Sequence, residues 1–331
     1  MSEADSTVSP MLATLGSAAD IDETTDDWAF EMKWDGIRAV ATVRDGAITL
    51  ATRNGKDTTA TYPELSELGS RTNQHEVVVD GEIVALNKHG RPDFGLLQQR
   101  MGLTRKSDVK PSARKVPVQY LVFDILSIDG RSTIDDSYDD RRSVLEKTVQ
   151  PAAHIQVPDV FQGDLAAAFA SSAKLGLEGV MAKRRDSAYS IGRRSRAWVK
   201  IKHRKTQEVV IAGWRPGNGR RAEGIGSLLM GVPDAIGLRY VGRVGTGFRD
   251  RDLNDIAERL RPLARATSPL HDVPSADARD AHWVTPTLIG EVEFAEWTRD
   301  DRLRQPSWRG WRPDKDADQV QREIPPPWHR S

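Results

Sequence analysis

The chain has 331 residues, more than one ordinary hydrophobic core holds and enough for two domains. Its 48 Lys and Arg balance 48 Asp and Glu, so a surface for a polyanion can come only from local clustering. It has no cysteine, which excludes a disulfide framework, a thiol nucleophile and Cys-ligated zinc, and its seven histidines are scattered without metal-ligand spacing. No apolar run approaches membrane-spanning length and residues 1–20 have no basic start or apolar middle, so the chain reads as soluble and intracellular, without a membrane partner.

Residues 1–26 are polar, rich in Ser, Thr and Asp, and read as a mobile acidic segment with one docking turn at 10–13. Apolar runs predict strands at about 28–33, 37–43 and 47–52, the last two joined by an Asp-Gly hairpin turn at 45–46. A second turn, TRNGKD at 52–57, carries Arg53, and Pro63 opens a short helix over 62–68. The run 76–86 reads as a buried strand interrupted by Asp-Gly-Glu at 80–82, where a turn and a paired buried carboxylate are both open readings. A short helix begins at 92–100, a core strand covers 116–126 with Phe123 and Asp124 near its end, and helices follow at 139–149 and 164–175. Strands at 177–183 and 198–202 complete this half; alternation puts Gly179, Met181 and Lys183 on one face of the first, and Lys200 with Lys202 on one face of the second.

After residue 205 the texture changes to short strands parted by Gly and Pro turns. Strands at 209–214, 226–232 and 238–244, a helix at 250–265 with Leu253, Ile256, Leu260 and Leu263 at helical spacing, and strands at 289–298 and 302–309 follow. Five strands with one helix between the third and fourth is the order of an OB-fold barrel, a common nucleic-acid binder.

The chemistry gathers around KWDGIR at 33–38. Lys33 ends one strand and Ile37 begins the next, with Gly36 giving the backbone a freedom other residues lack. A lysine becomes a nucleophile when its amine is deprotonated by nearby positive charge or desolvation; a surface lysine beside a turn is the competing reading of this stretch alone. Three acids (Asp35, Glu82 and Glu178) and a basic array (Arg38, Arg53, Lys183, Arg194, Lys200 and Lys202) accompany it. Residues 183–205 hold ten bases against Asp186 alone, a density suited to phosphate. No P-loop or dinucleotide fingerprint occurs. Several acids, several bases and one special lysine suggest metal-assisted attack on a phosphate.

The runs KWDGIR (33–38), TRNG (52–55), VDGEIV (79–84), LVFDIL (121–126), EGVMAK (178–183) and WVKIK (198–202) resemble, in order, six motifs of the covalent nucleotidyltransferases, and RPDK (312–315) resembles their C-terminal R-x-D-K. More closely, VGRVGTGF (241–248), EVEFAEWT (291–298) and LRQPSWRGWRPDK (303–315) resemble the ATP-dependent bacterial ligase of non-homologous end joining, over about residues 10–320. That resemblance implies an α+β fold: an adenylation domain of mixed and antiparallel sheets with flanking helices over 27–204, an OB-fold domain over 205–318 and a tail over 319–331. It implies that Lys33 takes AMP from ATP, with Glu31 facing the adenine, Phe123 stacked on it, and Arg38, Arg53, Glu82, Lys183, Arg194, Lys200 and Lys202 on the nucleotide. Asp35, Glu82 and Glu178 are the implied ligands of a divalent metal, Mg2+ or Mn2+, and Arg312, Asp314 and Lys315 are implied to swing over the site and orient pyrophosphate. The implied substrate is nicked or broken duplex DNA, with a Ku-like end-binding protein as a candidate recruiter and a monomeric, cytoplasmic, nucleoid-associated bacterial enzyme as the setting.

The resemblance has limits. No large DNA-binding domain precedes Lys33, and no polymerase or phosphoesterase region is present, so a stand-alone ligase and a ligase module are both open. Trp311 stands where close relatives often carry an aliphatic residue. Competing readings are an RNA ligase or a capping guanylyltransferase, and a non-catalytic nucleic-acid-binding scaffold, against which the intact Lys33, Glu82, Glu178, Lys200 and Lys202 argue.

Overall fold

The structure is a computed structural model that describes residues 8–217 and 224–323. The outermost parts of the acidic start (1–7) and of the tail (324–331, with its three prolines at 325–327) lie outside the described residues. The chain divides into two compact units, meeting in sequence between His203 and Arg204.

In the first unit the strands are β1 (Leu12–Gly16), β2 (Trp28–Lys33), β3 (Ile37–Arg44), β4 (Ala47–Thr52), β5 (Glu76–Ala85), β6 (Val118–Ile128), β7 (Arg131–Ser132), β8 (Ile155–Gln156), β9 (Gly179–Arg184) and β10 (Arg194–Lys202). Its helices are α1 (Phe94–Leu97), α2 (Lys106–Lys115), α3 (Tyr138–Thr148) and α4 (Leu165–Leu175). One sheet runs β4-β3-β5-β6-β7, with β8 also on β6, and the other runs β1-β10-β9-β2. All pairings are antiparallel except β1 on β10 and β8 on β6. The largest core cluster lies on the first sheet, where Ile37, Ala39, Ala41, Val77, Val79, Ile83 and Tyr120 pack against Leu65, Leu97 and Leu145. The other face of β9 and β10 (Val180, Ala182, Val199, Ile201) packs on Leu165 and Ala168 of α4. That helix is bounded as its sequence dictates: Asp164 accepts from the Ala167 N–H at 2.7 Å, and Gly176 closes it in the left-handed region at φ 72°.

Several expectations change here. In the described part of the expected mobile start, Leu12–Gly16 is a strand: Met11 is wholly buried, and Leu15 and Gly16 pair with Lys200 and Ile201. The Asp-Gly-Glu at 80–82 does not interrupt β5; a register shift after Asp80 absorbs it. A Cβ at Gly81 would lie 2.5 Å from the Tyr120 ring, so glycine lets the strand pass the ring. The stretch at 63–70 is a 3-10 helix and α1 is a single turn capped by Asp93. Helix α2 has no counterpart in the sequence reading, since Val109 is its single buried residue and Pro111 sits inside it.

The second unit holds β11 (Lys205–Pro216), β12 (Ile225–Pro233), β13 (Leu238–Val244), α5 (Asp250–Leu260), β14 (Ala264–Arg265), β15 (Leu270–His271), α6 (Ser275–Ala278), β16 (His282–Phe294) and β17 (Ser307–Trp311). Five main strands with α5 between the third and fourth keep the OB-fold order, in a sheet running β14-β16-β11-β12-β13-β15 with β17 on β16. Hydrogen bonds from Leu303 N–H to Val241 O (2.8 Å) and Trp308 N–H to Thr246 O (2.9 Å) bring the last segment back toward β13, without a closed barrel among the described residues. The fourth and fifth strands differ from their expected spans. β16 begins at His282 through pairing with β11 and β14, and Asp301 and Gln305, at φ 56° and 51°, turn much of the expected 302–309 strand into a loop. Val320 is buried in this unit's core, and Gln207 donates to Gln321 O at 2.9 Å.

Candidate active site

Lys33 is the last residue of β2 and sits opposite Gly179, the first of β9. The Glu178 N–H donates to Lys33 O at 3.2 Å, fixing the two chains side by side. Their side chains meet as well: the Lys33 ammonium is hydrogen-bonded to one Glu178 oxygen, and Lys202 Nζ lies 3.0 Å from the other. Burial pushes the Glu178 carboxyl up, but Lys202 and Lys33 more than reverse this and hold it well below the usual carboxylate range. Gly179 makes the approach possible, since a Cβ there would lie 2.0 Å from Ile201 O. Gly36, after the nucleophile candidate, is needed for room rather than for an unusual φ: its Cβ would lie 2.2 Å from Ile83 O.

The strand registers place Glu31, Lys33, Met181, Lys183, Trp198, Lys200 and Lys202 on one face of this sheet. At the far end Glu31 is buried; the Tyr138 hydroxyl donates to it at 2.6 Å and Lys183 Nζ lies 2.8 Å from its other oxygen. Lys183 is itself buried, over the rings of Trp198 (4.3 Å), Phe123 (4.7 Å) and Tyr138 (5.2 Å). Desolvation lowers its ammonium pKa, and Glu31 offsets part of that. Phe123 meets Trp198 edge to face with ring centres 6.2 Å apart.

Arg38, on β3, is held in a closed network. Its guanidinium donates to both Asp80 oxygens (3.0 and 2.5 Å), to Met11 O (2.6 Å) and to the Tyr189 hydroxyl (3.3 Å). Tyr189 in turn donates to Asp80 at 2.6 Å. Burial works against the Arg38 charge, yet Asp80 raises its pKa above the ordinary guanidinium value. Glu82 pairs with Arg38 across the strands. Arg53 sits in the turn closed by Gly55 N–H on Thr52 O (2.8 Å), and Asp35 lies in the turn between β2 and β3. Arg194 begins β10, where it donates to Ala13 O of β1. The structure thus brings Lys33, Glu178 and Lys202 into contact, and groups Glu31, Lys183 and Phe123 separately.

Sequence reasoning left Asp80 open between a turn and a paired buried carboxylate, and Arg38 makes it the second; it missed the partners Tyr189, Tyr138 and Trp198. Asp80 carried a signal, as a carboxylate inside an apolar strand must find a base; the two tyrosines carried none, because their hydroxyls act over separations of 107 and 109 residues. As a metal site, Asp35, Glu82 and Glu178 do not form a cage, and no three His, Asp or Glu side chains gather to hold an ion among the described residues. Mg2+ is commonly held by one or two carboxylates plus substrate phosphates and water, and this donor set fits that mode.

In the second unit, R-x-D-K is an ion network. Arg312 chelates Asp314 (3.0 and 2.9 Å) and lies 3.3 Å from Glu291, while Lys315 Nζ is 2.9 Å from Glu208. Burial raises the Asp314 carboxyl pKa, but Arg312 reverses this and lowers it. Trp311 packs edge-on against Trp308 (5.0 Å) and its indole N–H donates to Asp255 at 2.9 Å.

Compared with known proteins, residues 10–202 match the family model of the ATP dependent DNA ligase domain, and residues 221–315 that of the ATP dependent DNA ligase C terminal region. The chain is 47% identical over 317 residues to the multifunctional non-homologous end joining DNA repair protein LigD of Mycobacterium tuberculosis, covering 96% of this chain and 40% of that one. It is 38% identical over 307 residues to LigD of Pseudomonas aeruginosa, covering 90% and 35%. It therefore spans about two fifths of the length of these curated relatives. Among solved structures, mycobacterial DNA ligase D complexed with ATP and MES superposes with a TM-score of 0.66 at 45% identity, covering 96% of this chain and 98% of that one.

Proposed function

This chain belongs to the ATP-dependent DNA ligase family, and from that premise we propose that it seals 5′-phosphate/3′-hydroxyl breaks in duplex DNA, in double-strand-break repair by end joining. The observation that carries the reading is the Lys33–Glu178–Lys202 contact, one carboxylate fixing two ammoniums at the strand end where a lysine nucleophile is needed.

In the first step the Lys33 amine attacks the α-phosphorus of ATP, forms the N–P bond and expels pyrophosphate; the lysine proton is lost. Glu178 orients the amine, and Lys200 and Lys202 offset charge on the α-phosphate. Phe123, Glu31 and Lys183 form the adenine end, and Arg38, Arg53, Glu82 and Arg194 act on ribose and phosphates, Arg38 as held by Asp80. A divalent ion, when bound, offsets triphosphate charge, and Glu178, Glu82 and Asp35 are the residues that would hold it. Arg312, Asp314 and Lys315 act on the departing pyrophosphate. The AMP then passes to the DNA 5′-phosphate, and the 3′-hydroxyl displaces it to close the break. The longer relatives' repair names support an end-joining setting, with recruitment by a Ku-like end-binding protein; no helix among the described residues is long and apolar enough to cross a membrane.

The test is the intact mass after incubation with ATP, and separately GTP, each with Mg2+ or Mn2+. An AMP-sized gain with ATP alone, absent from Lys33→Ala, is expected, followed by sealing of nicked DNA. A GMP gain would favour a capping enzyme. No gain, even after pyrophosphate treatment to strip any bound AMP, would favour a binding scaffold.

A further inference from the structure

The chain as a whole is electrically neutral, but the segment 86–116 holds eight bases against Asp93 and Asp108. Five of those bases lie on or beside α2: Arg105, Lys106, Lys110, Arg114 and Lys115, all exposed. Among the described residues none of the five meets a carboxylate, whereas the exposed Arg44 and Arg131 of this unit pair with Glu76 (3.2 Å) and Asp136 (2.9 Å). The helix gains from Arg114 and Lys115 in its last turn, but not from the rest of the array. Lys106, Lys110 and Arg114 follow at i, i+4 and i+8, where like charges repel, and Arg105 and Lys106 sit at the N-terminus, against the helix dipole. The three form one stripe about 12 Å long at 1.5 Å per residue, and Asp108 lies on the other side of the helix.

The stripe is also firmly mounted. Val109 is buried, and the wholly buried Arg100 donates to Val116 O just past the helix (2.6 Å) and to Thr61 O (2.8 Å). Its place in the sheet matters most. β3 enters at Ile37 opposite Ile83 and β6 enters at Val118 opposite Ala85, so the excursion carrying α2 leaves the sheet at the end where the chain arrives from Lys33.

We propose that the Lys106–Lys110–Arg114 stripe of α2 is a docking surface for the phosphate backbone of duplex DNA, gripping the substrate outside the nucleotide pocket. This rests on the DNA ligase reading. The stripe contributes affinity without sequence preference, through counterion release.

The test uses the full chain with Lys106, Lys110 and Arg114 all changed to Ala, alongside Lys106→Arg/Lys110→Arg and, as an off-site control, Lys147→Ala. Self-adenylation by ATP serves as the fold check and is unchanged in all. For a nicked duplex, the triple Ala variant weakens binding about tenfold or more, and the slope of log affinity against log salt falls by about 2 to 3, at ~0.9 per lost phosphate contact. The Arg variant and Lys147→Ala keep the wild-type affinity and slope. Unchanged affinity and slope in a triple Ala variant that still takes AMP would overturn the proposal and turn attention to an acidic protein partner. A wild type that takes no AMP and binds no nicked duplex would overturn the ligase reading and this surface together.

Discussion

Replacing Glu178 by Gln keeps the shape of the side chain and removes one negative charge from between two ammoniums. Lys33, Glu178 and Lys202 are 19%, 10% and 8% exposed at their side chains, so water screens them only partly. Breaking one partner of a buried pair costs about 3–5 kcal/mol, and the partial exposure of Lys33 puts this site at the lower end, about 3 kcal/mol. For a unit of this size that corresponds to a melting temperature lower by roughly 6–12 °C. The pH dependence has a definite sign. Glu178 titrates lower in the folded than in the unfolded chain, where a Glu sits at about 4.3, so its contribution is fully present above that value and is lost as the pH falls through the folded one. The gap between wild type and Glu178→Gln is therefore flat from pH 8 to about 5 and narrows below about 4. Calorimetry without nucleotide measures it, and adding Lys202→Met to Glu178→Gln relieves the repulsion, with a coupling of about 1–3 kcal/mol. A gap under 2 °C at pH 7, or one that widens as the pH falls from 5.5 to 4, would refute the reasoning.

Arg38→Lys keeps the charge but loses the two-pronged grip on the fully buried Asp80; denaturant titration is expected to show a loss of about 2 kcal/mol. Lys315→Ala is expected to slow AMP transfer from ATP about a hundredfold while leaving sealing of a pre-adenylated nick near wild type, and equal damage to both would refute the pyrophosphate role. Trp311→Leu removes the hydrogen bond to Asp255 and the contact with Trp308, at a cost of about 1–2 kcal/mol in a thermal melt; a change in self-adenylation would show that the tryptophan does more than pack.

The elements that announce themselves locally were legible in the sequence. β2, β3 and β5 are apolar runs, α4 has its Asp and Gly caps, and Lys33, Glu178 and Lys202 stood out as charges on apolar strands. What was hidden depends on distant partners. β1 is five residues with little pattern, stabilised by a strand nearly two hundred residues on. α2 offers one buried apolar residue and an internal proline, so periodicity had nothing to register. Pairing decides roles as well: Arg38 looked like a nucleotide ligand, and the structure also makes it the counter-charge of Asp80.

The parallel pairing of β1 with β10 has a consequence for anything attached ahead of it. Leu15 lies opposite Lys200, but β1 is an edge strand whose first residue, Leu12, lies opposite Arg194, so a tag, a fluorophore or a further catalytic module joined upstream is moored at the end of β10 away from Lys200 and Lys202. A short tether sets a high local concentration of whatever it carries. Fusions at this end should therefore be built with the linker length as a deliberate variable, because it governs how often the cargo reaches the face of the sheet that carries Lys33.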